Sequence, residues 1–180
     1  MPTFEKSINE YVDSLLKSKR IGPQVVHHTV LPARAAVYAR GAPFTHFGEM
    51  LRDAGISALY SHQQAAIGHI RSGRHTVVAT PTASGKSLVY NLPVLDRILE
   101  NPGARALYLF PLKALAQDQH RAFTNLAAGC RGIAASAAIY DGDTSAWHRK
   151  KIRENPPHVV MTNPEMLHLA ILAHHDKWIS

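Results

Sequence analysis

A short stretch, residues 79–87, has the residue types and spacing of a phosphate-binding loop. It follows an apolar run that predicts a strand over 75–79, and it precedes a segment, 88–99, that predicts a helix. Small residues let backbone N–H groups turn toward an anion, and the helix N-terminus adds partial positive charge at the same place. We therefore predict that the loop residues bind the phosphates of a nucleotide; these are Thr80, Pro81, Thr82, Ala83, Ser84 and Gly85.

Two side chains at the end of this stretch carry its chemistry. Lys86 would reach the β- and γ-phosphates, and the Ser87 hydroxyl would ligate Mg²⁺, so we predict both as catalytic residues and Ser87 as the metal ligand. The pattern departs from G-x-x-x-x-G-K-[ST] at one position, because Thr80 stands where the first glycine is usual. The alternative is a loop of small residues that binds no nucleotide.

Composition narrows the class of protein. The 180 residues include 20 Lys and Arg against 13 Asp and Glu, a net charge of +7 that favours a polyanionic partner. The single cysteine, Cys130, excludes an internal disulfide and a cysteine-based zinc cluster, which fits a reducing cytoplasm. The first residues lack the order of a secretory signal, and no apolar run approaches the ~20 residues of a membrane span. We expect a soluble cytoplasmic chain, without a metal role for its histidines.

Alternation of strand and helix patterns predicts the fold. Strands are predicted over 75–79, 105–110, 133–140 and 158–161, and helices over 8–19, 45–54, 61–70, 88–99, 113–126, 145–153 and 164–172. Ser61 and Gln64 have the spacing of an N-cap and its capping-box partner for the third helix. This order predicts an α/β fold with a mostly parallel sheet in residues 41–180, preceded by a helical and extended appendage in residues 1–40.

Four strings around the phosphate loop resemble motifs of superfamily 2 helicases of the DEAD/DEAH-box kind. They are Leu-Tyr-Ser-His-Gln at 59–63, Thr-Pro-Thr-Ala-Ser-Gly-Lys-Ser at 80–87, Phe-Pro-Leu-Lys-Ala-Leu-Ala-Gln-Asp-Gln at 110–119 and Thr-Asn-Pro-Glu-Met-Leu-His at 162–168. Together they resemble the bacterial YprA/MrfA group of DNA-repair helicases. The resemblance implies a RecA-like P-loop domain, ATP and Mg²⁺ as cofactors, and 3′-to-5′ movement on single-stranded DNA.

The same resemblance implies an adenine site upstream of the loop. The Gln63 amide would read both edges of adenine, since a carboxamide donates and accepts at once. Tyr60 belongs to the same string, and Phe44 or Phe47 would stack on the base. A surface glutamine on a helix is the alternative interpretation.

Nucleic-acid contacts are implied downstream of the loop. Strings similar to motifs Ia and Ib would hold the sugar–phosphate chain of single-stranded DNA or another nucleic acid, with the residues Pro111, Lys113, Gln117, Gly142, Thr162 and Pro164. A basic run between them, Arg149, Lys150, Lys151 and Arg153, is explained equally well by a solvated helix face. An ordinary strand–turn–helix is the alternative for motif Ia.

The Asp-Glu motif of this superfamily is absent, because the sequence has no adjacent Asp-Glu pair. That motif supplies the carboxylates that hold Mg²⁺ and position the attacking water. We therefore expect the N-terminal portion of the first RecA-like domain, without its C-terminal helicase domain, deficient in hydrolysis alone, and with open edges on the phosphate-loop strand. The alternative is a non-catalytic nucleotide-binding module or degenerate helicase remnant, and a P-loop kinase is a more distant one.

Overall fold

The computed structural model describes residues 4–32, 35–41, 47–132 and 134–178. The chain divides into two compact units, residues 1–36 and residues 37–180. The first unit contains helix α1, Phe4–Lys17, and a 3₁₀ helix, Gly22–Gln24. The amphipathic pattern therefore found the helix correctly and placed its start too late. The predicted boundary between residues 40 and 41 stays a prediction.

A parallel sheet lies at the centre of the second unit. Its strands are β1, Ala106–Leu109, β2, Ala137–Ile139, and β3, Val159–Thr162, in the order β1–β3–β2. Both pairings are parallel, with Val159 opposite Ala106 on one side and Ala137 on the other. The predicted α/β fold class with a parallel sheet is confirmed.

Helices flank and connect these strands. Before the sheet come α2, Gly48–Asp53, α3, Ser61–Arg71, and α4, Lys86–Glu100. Helix α5, Lys113–Ala128, connects β1 to β2, and α6, Ala146–Glu154, connects β2 to β3.

The last helical segment is irregular. It begins as α7, Pro164–Met166, continues as a π-helix, Leu167–Ile171, and ends as a 3₁₀ helix, Leu172–Trp178. The backbone of His174 is non-helical, with φ −132° and ψ 36°. The prediction of one regular helix over 164–172 was therefore right about its start and wrong about its regularity.

The core packs helices α2 to α5 against one face of the sheet. Strand β3 is buried throughout, as a central strand should be, whereas β1 buries Tyr108 and exposes Leu107 and Leu109. The most deeply buried apolar core residues are Phe47, Leu59, Leu92, Leu95, Phe123, Val159 and Met161.

The predicted strand over 75–79 is absent from the sheet. In the part of the chain that the structure describes, these residues carry no strand assignment, and the Val77 side chain is 95% exposed. A strand exists only where a neighbouring strand takes up its backbone hydrogen bonds, and β1, β2 and β3 pair with one another instead. The prediction was wrong for this reason: apolar pattern alone does not supply a partner.

Two further observations concern only the described residues. None of their helices combines the length and apolar character required to cross a membrane. None of their His, Cys, Asp and Glu side chains form a group that could hold a metal ion.

Two leucines on α4 test the position of the core. Leu95 is fully buried and Leu99 is 36% exposed, so Leu95→Ala should lower the free energy of unfolding by about 2–5 kcal/mol, and Leu99→Ala by less than about 1 kcal/mol. Urea denaturation of the two variants measures this difference. Equal losses would contradict the described packing of α4.

Candidate functional site

Helix α3 begins one residue earlier than the capping pattern predicted. Its N-cap is Tyr60, whose backbone is extended, and the Tyr60 N–H donates to Gln63 Oε1 at 2.8 Å. The predicted pair, Ser61 as N-cap and Gln64 as its partner, was therefore wrong. The Ser61 N–H instead donates to the Val37 carbonyl at 2.8 Å, so Ser61 is held by a neighbouring extended segment.

Gln63 also bonds to the phosphate loop. Its Nε2 donates to the Gly85 carbonyl at 2.8 Å, and the side chain is only 2% exposed. The neighbouring His62 places Nε2 3.1 Å from the Ser84 carbonyl oxygen. Two adjacent side chains of α3 therefore join the start of that helix to the loop before α4. Motif reasoning assigned no role to His62, although it lies in the same string as Gln63.

Position 85 strongly favours glycine. Its φ is +69°, in the left-handed region, and a Cβ there would lie 2.4 Å from Gln63 Nε2. Ala83, earlier in the loop, also has a positive φ of 61°. A non-glycine residue in this region costs energy, and such strain is often found where a loop binds a ligand.

The Lys86 ammonium lies over the loop that precedes it. Nζ donates to the carbonyls of Thr80 at 2.9 Å and Pro81 at 2.7 Å, and it is 3.3 Å from the hydroxyl oxygens of Thr80 and Ser84. Those two hydroxyls are themselves 2.6 Å apart. Phosphate oxygens entering here would replace the loop oxygens as acceptors for Lys86.

The remaining loop residues are accessible from solvent. Thr82 and Ala83 are exposed, and Ser87 is half-buried in the first turn of α4. The structure thus keeps the predicted phosphate-binding residues within one loop at a helix N-terminus. Their contacts with phosphate and Mg²⁺ stay predictions.

The aromatic side chains near Gln63 differ from those predicted to stack on a base. Phe47 is 1% exposed and belongs to the hydrophobic core, so its predicted stacking role was wrong; Phe44 lies outside the described residues. Tyr38 and Tyr60 instead stack with ring centroids 5.2 Å apart, and Tyr38 is 54% exposed. Sequence reasoning missed Tyr38 because only the folded backbone brings it beside Tyr60.

The predicted nucleic-acid residues follow the carboxyl ends of the parallel strands. Those ends share one edge of a parallel sheet, where α/β folds place ligands; we call the segments after the strands, 111–113, 141–144 and 163–165, the strand-end edge. The structure brings two predicted residues together there: a Cβ at Gly142 would lie 3.8 Å from Lys113 Nζ. Pro111 and Pro164 are exposed at the same edge, and Gln117 is exposed on α5.

Lys113 has an acidic partner at this edge. Its Nζ lies 2.7 Å from the Asp143 carboxylate, and this hydrogen bond raises the pKa of the lysine. Both side chains are exposed, and exposed ion pairs are weak. A phosphate could therefore replace Asp143 with little loss of stability.

The turn that contains Gly142 is held from both sides. Asp141 Oδ1 accepts hydrogen bonds from the N–H groups of Asp143 and Thr144, each at 3.0 Å. From α6, Arg149 Nη2 donates to the carbonyls of Asp141 and Gly142, each at 2.9 Å. The sequence alone was compatible with Arg149 on a solvated helix face or in contact with nucleic acid. In the structure its guanidinium donates to carbonyls of the same chain.

Thr162 does not fit its predicted phosphate contact. It ends β3, is 1% exposed, and its hydroxyl donates to the Tyr140 carbonyl at 2.5 Å. The prediction was wrong for the side chain, because that hydroxyl bridges two strands inside the protein. The following residue, Asn163, caps α7 by accepting the Met166 N–H at 2.8 Å.

A hydrogen bond that sequence reasoning missed connects α4, which follows the phosphate loop, to α5, which begins at the strand-end edge. Tyr90 of α4 donates through its hydroxyl to Gln119 Oε1 of α5 at 2.8 Å. Tyr108 of β1 donates to Asn91 Oδ1 at 3.0 Å, and burial raises the pKa of both tyrosines. The helix after the phosphate loop is therefore joined to the helix that starts at Lys113.

Comparison with known proteins bears on this arrangement. Residues 60–179 match the DEAD/DEAH box helicase family. The chain belongs to this family. Over 179 residues it is 43% identical to the uncharacterized ATP-dependent helicase YprA of Bacillus subtilis, covering 98% of this chain and 23% of YprA. Over 173 residues it is 36% identical to the ATP-dependent helicase HRQ1 of Saccharomyces cerevisiae, covering 96% and 16%.

Solved structures agree with this DEAD/DEAH box assignment. The DUF1998 helicase MrfA, solved bound to DNA and AMPPNP, superposes with a TM-score of 0.75 at 46% identity, covering 81% of this chain and 20% of MrfA. The helicase Lhr of Mycobacterium smegmatis, bound to ssDNA and AMP-PNP, gives a TM-score of 0.64 at 31% identity, covering 73% and 18%. The chain fits the YprA/MrfA-like group and spans less than a quarter of the length of these relatives.

Adjacent glutamines test the tie between α3 and the loop. Gln63→Leu leaves the Tyr60 N–H and the Gly85 carbonyl without their partner, so it should lower the free energy of unfolding by about 1–3 kcal/mol. Gln64 is the matched control: its Oε1 is buried without a hydrogen-bond partner, so Gln64→Leu should change stability by less than about 0.5 kcal/mol or increase it. Urea denaturation compares them, and a larger loss for Gln64→Leu would contradict the tie.

Proposed function

We propose that this chain is the ATP-binding and nucleic-acid-binding part of an ATP-dependent DNA helicase. The observation that carries the proposal is the phosphate loop at the N-terminus of α4, held to α3 by Gln63 in a chain of the DEAD/DEAH box family. The relatives YprA and HRQ1 are ATP-dependent helicases, and MrfA was solved with DNA and AMPPNP. Unwinding and its 3′-to-5′ direction belong to the whole protein and rest on this relationship.

The nucleotide would lie along the loop and the start of α3. Lys86 exchanges the carbonyls of Thr80 and Pro81 for β- and γ-phosphate oxygens, and Ser87 contributes its hydroxyl to Mg²⁺. The Gln63 amide uses one N–H and one oxygen lone pair within the chain. Its side chain is only 2% exposed, so we assign it to holding the loop against α3, and adenine reading by Gln63 stays a prediction from the family resemblance.

We assign stacking on the base to tyrosine rings rather than to the buried Phe47. Tyr60 is directly bonded to Gln63 through its backbone, and Tyr38 stacks on Tyr60 with half of its side chain in solvent. This ring pair supports an adenine site at the start of α3.

A nucleic-acid strand would cross the strand-end edge. The Gly142 turn is stiffened by Asp141 and Arg149, and Lys113 lies beside it with only a weak acidic partner. A single-stranded DNA backbone fits this edge because phosphates contact lysine side chains and exposed turns.

Hydrolysis of ATP in this family uses the carboxylates of an Asp-Glu motif, and these 180 residues contain no adjacent Asp-Glu pair. Phosphoryl transfer depends on a carboxylate at the metal and on a residue that positions the attacking water. We infer that these residues alone bind ATP and turn it over poorly. A non-catalytic nucleotide-binding module, the second candidate, would share the nucleotide site and lack the nucleic-acid edge.

Removal of the loop lysine tests the nucleotide site. Lys86→Ala should weaken Mg·ATP binding by about tenfold or more, equal to at least ~1.4 kcal/mol, because the charge-assisted bonds to phosphate are lost. Isothermal titration calorimetry measures the affinity, and the exposed Lys19→Ala is the control. Unchanged affinity in a folded Lys86→Ala variant would contradict the assigned site.

Salt dependence tests the strand-end edge. Binding of a short oligo(dT) should weaken with salt, and Lys113→Gln should reduce the magnitude of the log–log slope by about 0.7, the value for one phosphate contact on a single strand. Lys19→Gln should leave the slope unchanged. Fluorescence anisotropy measures both; absence of oligo(dT) binding would favour the alternative module, and binding without a salt slope would contradict the assigned edge.

A further inference from the structure

An exposed tryptophan lies at the start of α6. The Trp147 side chain is 64% exposed, which is unusual for a large aromatic ring with substantial apolar area. The ring contacts its own helix: His148 is edge-on at a centroid distance of 4.8 Å, and Lys151 Nζ lies 5.4 Å from the ring centroid. The indole therefore presents much of its surface to solvent, with an ammonium group already over the ring.

The charges of α6 divide between two faces. Arg149 and Arg153 are directed within the protein, the first to the Gly142 turn and the second to the Tyr140 hydroxyl at 3.0 Å. Lys150 and Lys151 are exposed and lie on the same face as Trp147, at helical spacings of three and four residues. We call Trp147, Lys150 and Lys151 the outer face of α6.

One acid accompanies this face. Lys150 Nζ is 3.6 Å from the Glu154 carboxylate, with both side chains mainly in solvent. Such an exposed helical pair is weak, so it leaves the lysine available to another anion. The face remains cationic around an aromatic ring, which is the chemistry of single-strand binding proteins.

The position of this face is fixed relative to the strand-end edge. Arg149 bonds the first turns of α6 to the carbonyls of Asp141 and Gly142, and the Ser145 hydroxyl caps the helix by accepting the His148 N–H at 3.3 Å. The start of α6 is therefore bonded directly to the turn that contains Gly142.

We propose that the outer face of α6 binds one base of a single-stranded nucleic acid by stacking on Trp147, with Lys150 and Lys151 at the adjoining phosphates. The inference rests on the nucleic-acid binding proposed above and names a further residue for it. Charge complementarity selects this occupant, because an apolar protein partner would not match two exposed lysines beside the ring. Stacking makes the site tolerant of base sequence, since every base has a π-face.

Affinity measurements with labelled oligo(dT) test the stacking. Trp147→Ala should weaken binding by about tenfold, whereas Trp147→Phe should stay within about threefold of the original chain, because an aromatic ring remains. The log–log salt slope should be the same in both variants, since no cation is removed. Tyr11→Ala is the matched control: Tyr11 is also 64% exposed, and its removal should change nothing.

A second readout uses intrinsic fluorescence. The chain has two tryptophans, Trp147 and Trp178, so oligo(dT) should quench emission in the original chain and leave Trp147→Phe unquenched. An abasic oligonucleotide of equal length should bind more weakly and quench little.

The outcomes separate this inference from the proposed function. The stacking site would be overturned if Trp147→Ala bound oligo(dT) with the affinity of the original chain. Equal quenching by the abasic strand and by oligo(dT) would overturn it too. In both cases salt-dependent binding would leave the proposed function intact. Absence of any oligonucleotide binding by the original chain would overturn both.

Discussion

The amide of Gln63 holds the start of α3 and the loop before α4 together, the two halves of the proposed nucleotide site. One end accepts the Tyr60 N–H at the start of α3, and the other donates to the Gly85 carbonyl at the start of α4. Because the amide is buried, its removal would leave the Tyr60 N–H and the Gly85 carbonyl without partners. A buried polar group without a partner lowers stability more than the loss of an exposed hydrogen bond does. Glycine at position 85 in turn suits its left-handed backbone, and a Cβ there would displace the Gln63 amide from its hydrogen bond.

Helix α4 continues from these hydrogen bonds of Gln63 toward the proposed nucleic-acid edge. Tyr90, on α4, is bonded to Gln119 on α5, and α5 begins with Lys113 at the strand-end edge. The two ligand regions are thus connected by buried or half-buried hydrogen bonds. Helix α4 therefore makes hydrogen-bonded contact on the side of each proposed site.

The local sequence pattern predicted the fold class and most helices and strands correctly. It failed where a hydrogen-bond partner distant in sequence decides the local structure. The apolar run at 75–79 predicts a strand, yet its state depends on whether a neighbouring strand pairs with it. Capping was misplaced by one residue because Ser61 bonds to Val37, a contact that no local pattern contains. Thr162 carried the right residue type for a phosphate contact, but pairing between strands uses its hydroxyl. Motif spacing correctly placed a loop of small residues before α4, because consecutive residues build it, and its binding of phosphate stays a prediction.

The central claim is that nucleotide and nucleic acid bind at two distinct, connected places on this chain. Amide NMR of the labelled protein tests it in one experiment, by titration with Mg·AMPPNP and separately with oligo(dT). The account predicts that the nucleotide shifts the amide signals of residues 80–87 and of Gln63. It predicts that the oligonucleotide shifts those of Lys113, Gly142 and Trp147. Phosphate-loop amides that do not respond to the nucleotide, or the same amides giving the largest shifts with both ligands, would contradict it.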